Sequence, residues 1–198
     1  KMIELHCHLD GSLRYNTLRQ LAHDQGIQLP DSNRSLFFYK GMSLYEALER
    51  FKITLSVLQT PRAITRVTSE ICADAEQVGV RNLEIRFAPQ LHGNSVELAV
   101  DAAIQGLQYD SNLILCGLYG EPPEVLNKLV EVAKTRSRVV GIDLAGGPSS
   151  DHRWGMFDYI EPFEKAKRYG IGRTVHAAEG RSPKEIEVAI NFLHAQRI

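Results

Sequence analysis

The chain has 198 residues, 43% of them hydrophobic and 24% charged, with a formal net charge of −1. This is the balance of an ordinary globular domain with one sizeable core. It argues against a general nucleic-acid or membrane-surface binder, which needs a basic excess, and no apolar run approaches the roughly 20 residues that cross a bilayer.

In chain order, the first predicted strand is Met2–His8, which carries the motif Glu4-Leu5-His6-Cys7-His8-Leu9-Asp10-Gly11. Side chains alternate along a strand, so His6 and His8 share one face and Cys7 takes the other. A long connection of roughly 70 residues follows, with room for two or three helices. Ser43-Leu44-Tyr45-Glu46 fits a capping box. Thr60-Pro61 opens a helix through Ile64, Val67, Ile71 and Ala75 that stops near Gly79. The remaining strands are predicted over 82–88, 112–118, 139–145 and 172–178. Helices fall between them. One opens at Ser95 and carries Val96, Ala99, Ala103 and Leu107. The next opens at Pro122-Pro123, and another runs over 157–169 to Gly170. Ser182-Pro183-Lys184-Glu185 fits a second capping box, with Pro183 at the first helical position. Gln196-Arg197-Ile198 reads as the entry to a sixth strand.

Strands recurring about every 30 residues after the first, with helices between, predict a parallel α/β fold. The two histidine motifs and Asp143-Leu144-Ala145-Gly146 sit at C-terminal strand ends. Active sites are built there in (β/α) barrels and in doubly wound sheets alike. No Gly-x-Gly-x-x-Gly follows a strand, which counts against dinucleotide binding. Nothing resembles a secretory signal, and the start at Lys1 rather than methionine is that expected of a trimmed chain. The three cysteines, Cys7, Cys72 and Cys116, are odd in number and far apart, as suits reduced thiols in a cytoplasm.

Two strand imidazoles on one face can converge on a metal ion, and His176, at the end of another apolar run, is the third candidate ligand. Zinc suits such donors and leaves a position for water. Glu179, three residues after His176, is placed for acid–base work or, equally, for capping the next helix. Asp10 is either a hydrogen-bond acceptor for substrate hydroxyls, sharing the histidine face if the strand persists, or a turn residue beside Gly11. Gly146-Gly147 permits close approach of a planar ligand or is simply a loop. His23, His92, His152 and His194 lack a spaced partner and read as ordinary polar residues. Cys72 and Cys116 read as small buried hydrophobes. Arg86 either orients a carboxylate or pairs with Glu84.

Four ordered motifs resemble the adenosine deaminase family of metal-dependent purine deaminases, within the amidohydrolase superfamily. They are Glu4–Gly11, Leu83-Glu84-Ile85-Arg86-Phe87-Ala88-Pro89, Val140-Gly141-Ile142-Asp143-Leu144-Ala145-Gly146 and Thr174-Val175-His176-Ala177-Ala178-Glu179. The resemblance spans residues 2 to 198. It implies a TIM (β/α)8 barrel, present as roughly its first five βα units and truncated before the sixth strand, in a single domain over 1–198. It implies one zinc ion held by His6, His8 and His176. Glu179 becomes the proton donor to the purine ring, while His8 and Asp10 lie at the ribose and the Gly146 amide at the purine. The implied reaction uses a zinc-activated water to convert adenosine or 2′-deoxyadenosine into inosine or deoxyinosine and ammonia. The partner is thus a small purine nucleoside, with no nucleic acid or membrane.

This chain departs from the family pattern at Ala178, where glycine is usual, and at Gly147, where an acid is frequent. The family's later histidine and aspartate pair fall beyond residue 198, so three of four protein ligands are expected here. A polypeptide ending at Ile198 is expected to have little or no deaminase activity. The alternatives are a sister purine deaminase acting on adenine or a modified nucleotide, and a non-catalytic purine-binding fragment. A 5′-phosphate would be repelled by Asp10. A two-metal amidohydrolase lacks its bridging lysine in 141–147, and cytidine-type deaminases need a Cys-x-x-Cys that is absent.

Overall fold

The computed structural model describes residues 2–32, 35–147 and 149–198. They form two compact units, Lys1–Asn112 and Leu113–Ile198.

In the first unit, β1 (Met2–His8) pairs in parallel with β2 (Val80–Phe87), matching Cys7 to Ile85 and His8 to Arg86 after a register shift between Glu4 and Cys7. The Leu9 N–H donates to Arg86 O at 2.9 Å, so the ladder continues one residue beyond β1. The long connection holds three helices, α1 (Tyr15–Asp24), α2 (Leu44–Val57) and α3 (Pro61–Gln77). The Ser43 box forms in full, with Ser43 Oγ accepting from the Glu46 N–H and Glu46 accepting from the Ser43 N–H. Thr60 Oγ1 caps α3 through the Ala63 N–H, and Ile64, Val67 and Ile71 make its buried stripe. Gly79, at φ +83°, lets the chain turn into β2.

α4 (Val96–Gly106) is capped by Ser95 and ends one residue before Leu107, whose backbone is extended rather than helical. It crosses α3 closely at Gly106, where a β-carbon would meet Thr65 O and lie 2.7 Å from Thr68 Cβ.

In the second unit, β3 (Asp110–Leu118, its first three residues in the other unit) pairs in parallel with β4 (Val139–Ala145), and β4 with β5 (Gly172–Val175). Leu113, Ile114, Leu115, Ile142, Leu144 and Val175 are buried. The returns are α5 (Pro123–Lys134), α6 (Ile160–Arg168) and α7 (Lys184–Asn191).

Besides Leu107, which lies outside α4, and β3, which starts two residues before residue 112, four expectations need correction. β2 starts two residues earlier than residue 82 and stops at Phe87. β5 stops at Val175, because the chain after His176 turns over at Ala178 in the left-handed region, φ +62°. The helix expected over 157–169 is a 3₁₀ turn, Met156–Tyr159, followed by α6. Pro162 has no N–H to reach back across that junction, so the helical ladder restarts there. The Ser182 box does not form. Pro183 sits at the cap position and Glu185 is engaged elsewhere. At the chain's end Thr174 pairs in parallel with Arg197, as the expected sixth-strand entry would. No helix among the described residues is long and apolar enough to cross a membrane.

Candidate active site

In the first unit, strand alternation puts the two imidazoles of β1 side by side. His6 Nε2 and His8 Nε2 lie 3.1 Å apart, with ring centroids at 5.1 Å. Two nitrogens bound to one tetrahedral zinc at 2.0–2.1 Å stand about 3.3 Å apart, so the pair fits a shared ion. Cys7 points away from it. Its Sγ lies 3.4 Å from Ser12 Oγ, and burial pushes the thiol pKa up. The Phe51 ring of α2 packs edge-on to His8, centroids 5.8 Å apart, and leaves only 3.0 Å for a β-carbon at Gly11.

β1 ends at His8, so Asp10 belongs to the following turn rather than to the strand face. There the Gly11 N–H donates to His8 O and the Ser12 N–H to Leu9 O. Asp10 is only 8% exposed, and burial raises its carboxyl pKa to about 6. Arg86 is buried and donates through Nη2 to Leu5 O at 2.7 Å, bracing β1 from behind. His92 is no ordinary surface residue. It is buried, its Nδ1 lies 3.0 Å from Leu58 O, its ring meets Phe87 edge-on, and desolvation lowers its pKa to about 4.

In the second unit, His176 is held at three atoms. Its N–H donates to Leu144 O at 2.9 Å, its carbonyl accepts from Tyr119 Oη at 2.6 Å, and its Nδ1 lies 3.2 and 3.0 Å from the two Asp143 carboxylate oxygens. Asp143 is fully buried. With Nδ1 against a carboxylate, Nε2 is the nitrogen that would serve as a ligand. Glu179 is exposed in the turn beyond Ala178, and Gly146 follows β4 at φ +77°. The Ala178 N–H donates to Glu185 Oε2 at 2.7 Å, and Arg181 grips the same carboxylate with two nitrogens at 2.7 and 2.8 Å.

Each unit thus holds part of the expected set: His6 beside His8 in one, and His176 in the other, where the structure adds Asp143 behind it. The sequence assigns no part in the site to Asp143, Tyr119 or Arg181, makes Glu185 only a capping partner and His92 only an ordinary polar residue. The available signal was at Asp143, a single acid in the otherwise apolar run Val139–Ala145.

The profile of the family described as adenosine deaminase matches residues 2–198. An adenosine deaminase of Clostridium kluyveri is 37% identical over 98% of this chain and 60% of its own length. The structure of an adenine deaminase from Arthrobacter aurescens superposes with a TM-score of 0.86 at 24% identity, over 100% of this chain and 63% of the other. That of an arabidopsis N6-mAMP deaminase gives 0.80 at 27% identity, over 96% and 63%. The chain therefore spans a little under two thirds of the proteins it matches. The likeness gives the fold class, the TIM (β/α)8 type, of which five strands lie among the described residues.

Proposed function

We propose that this chain, which belongs to the adenosine deaminase family, is the zinc-binding and acid-bearing part of a hydrolase that converts adenosine or 2′-deoxyadenosine into inosine or deoxyinosine and ammonia. The observation that carries the reading is the His6–His8 pair, whose Nε2 atoms stand 3.1 Å apart on one strand face. His6, His8 and His176 would hold one zinc ion within a single hydrolase domain, as the family resemblance implies. When bound, that ion supplies a water acidified to near neutrality.

The protein's own groups do the rest. Asp143 keeps the His176 ring in one orientation with Nε2 outward. Glu179 delivers a proton to the purine ring nitrogen next to the amine-bearing carbon, which makes that carbon electrophilic. Asp10 accepts a hydrogen bond from a ribose hydroxyl, and the Gly146 N–H donates to the purine. The positive φ of Gly146 supports this last role, since a backbone with no side chain lets a flat base come close. The proposed setting is cytoplasmic, since three widely spaced cysteines, Cys7, Cys72 and Cys116, suit a reducing compartment.

A second reading, deamination of adenine or of a modified adenine nucleotide, is favoured by the likeness to the N6-mAMP deaminase. The Asp10 carboxyl counts against a phosphate, because its ionised form would repel it. Steady-state kinetics of the intact polypeptide with adenosine, 2′-deoxyadenosine, adenine and N6-methyl-AMP, alongside metal analysis, test the choice. The expected result is one zinc per chain and a kcat/KM for the nucleosides at least about tenfold above the others. A preference for the nucleotide or the free base replaces the leading reading with the second. Purine binding without zinc or turnover makes the protein a binder rather than an enzyme.

A further inference from the structure

Ala178 is a non-glycine residue held at φ +62°, two residues after His176 and immediately before Glu179. A β-carbon disfavours that conformation, so something must hold the turn in it. The surrounding contacts identify what does. The Ala178 N–H donates to Glu185 Oε2 at 2.7 Å, a charge-assisted bond to a carboxylate in the first turn of α7. That carboxylate is itself fixed by Arg181, through Nε at 2.7 Å and Nη2 at 2.8 Å, and the fork lowers the Glu185 pKa.

Arg181 also closes the turn from the other side. Its backbone N–H donates to Ala178 O at 3.3 Å and its Nη1 to Glu179 O at 3.4 Å. Its guanidinium lies 5.8 Å from the centre of the Tyr119 ring, and the hydroxyl of that ring holds His176 O. The backbone from His176 to Arg181 is thereby pinned at Ala178 N, Ala178 O, Glu179 O and His176 O. The exposed Glu179 carboxyl projects from the middle of it.

We propose that Arg181 and Glu185 are positioning residues for Glu179: the ion pair clamps the left-handed turn at Ala178, and the clamped turn sets where the Glu179 carboxyl stands relative to His176. This rests on the reading of Glu179 as the proton donor. The pair also explains how the chain tolerates alanine at this point. The turn is enforced by a side chain seven residues on instead of being freely available to a glycine.

The test uses the intact polypeptide and the variants E185A, E185Q, R181K, A178G, E185A/A178G and E179Q. Their kcat and KM for adenosine, bound zinc, thermal midpoint and Ala178 amide hydrogen exchange are compared. E185A is expected to lower kcat by about tenfold with KM within about twofold and zinc retained, and to accelerate exchange at Ala178. E185Q keeps an acceptor for the Ala178 N–H and should lie between E185A and the parent, as should R181K. The double variant E185A/A178G should regain most of the lost kcat, because glycine takes the positive φ unaided. A loss of general stability is told apart by the thermal midpoint, which would fall together with kcat, whereas a positioning loss shows in kcat and Ala178 exchange while the folded fraction at the assay temperature is unchanged.

An E185A enzyme with parental kcat overturns the proposal. So does an E185A loss that A178G fails to relieve. If E179Q keeps parental kcat, the proton-donor reading itself fails and the proposal falls with it. A crippled E179Q beside an unaffected E185A removes only the positioning pair.

Discussion

Asp143, fully buried in β4, places both carboxylate oxygens within 3.2 Å of His176 Nδ1 and so fixes which nitrogen of that ring faces outward. Carboxylates behind ligating imidazoles orient the ring and raise its basicity. Replacing Asp143 by Ala is expected to weaken zinc binding by about 10- to 100-fold, read by competition with a chromophoric chelator. Unchanged affinity would show that the contact is only structural.

His92 gives the fold an acid-sensitive point. Its folded pKa is near 4, below the ordinary histidine value of 6.5, because burial penalises the charged ring. Between those values the unfolded chain binds the proton and the folded chain does not. Stability from this residue is therefore fully present above pH 6.5 and is lost as pH falls towards 4. The loss reaches about 3 kcal/mol at most. Urea unfolding at steps between pH 4 and 7 should show this slope, and His92→Gln should flatten it.

α3 and α4 approach too closely at Gly106 for any side chain. Alanine in a helix usually gains up to about 1 kcal/mol over glycine. Here its β-carbon would meet Thr65 O and lie 2.7 Å from Thr68 Cβ, and a backbone oxygen in a helix cannot move aside. Overpacking wins, and Gly106→Ala is expected to destabilise by about 2 kcal/mol, seen as a lower denaturant midpoint.

The N-terminus of α2 depends on a reciprocal box. Ser43 Oγ accepts from the Glu46 N–H at 3.2 Å, and the Glu46 carboxylate takes the Ser43 N–H at 3.0 Å and the Tyr39 hydroxyl at 2.7 Å. The Tyr39 bond, followed by those from Ser43, holds the Glu46 pKa down at about 2. Ser43→Ala is expected to cost about 1 kcal/mol, measured by chemical denaturation at neutral pH. Glu46 contributes above the ordinary carboxylate pKa and is lost as pH falls towards 2, so the gap between variant and parent should narrow in acid.

Local signals were legible wherever neighbours in sequence decide the structure. The limits of β1 and β4, the caps at Ser43, Thr60 and Ser95, the stops at Gly79 and Gly170, and the pairing of His6 with His8 all follow from alternation, capping and turn chemistry. The second box failed although Ser182-x-x-Glu185 has the right spacing. Glu185 had a stronger use, since it meets both the Ala178 N–H and the Arg181 fork. β5 was predicted three residues too long because apolar content persists through Ala178, while the chain turns there.

The sequence by itself determined an alternating parallel α/β chain with two imidazoles on one strand face and a third near an acid. Those properties depend on spacings of two, three or four residues, which strand and helix geometry convert directly into shared faces. Tertiary structure alone decided that Asp143 stands behind His176, 33 residues away, and that His92 loses water beneath Leu58, 34 residues away. Both depend on strand register and on loops folding back over the sheet. A run of apolar residues does not carry that information, because it satisfies the pattern equally well in any register that keeps the same face buried.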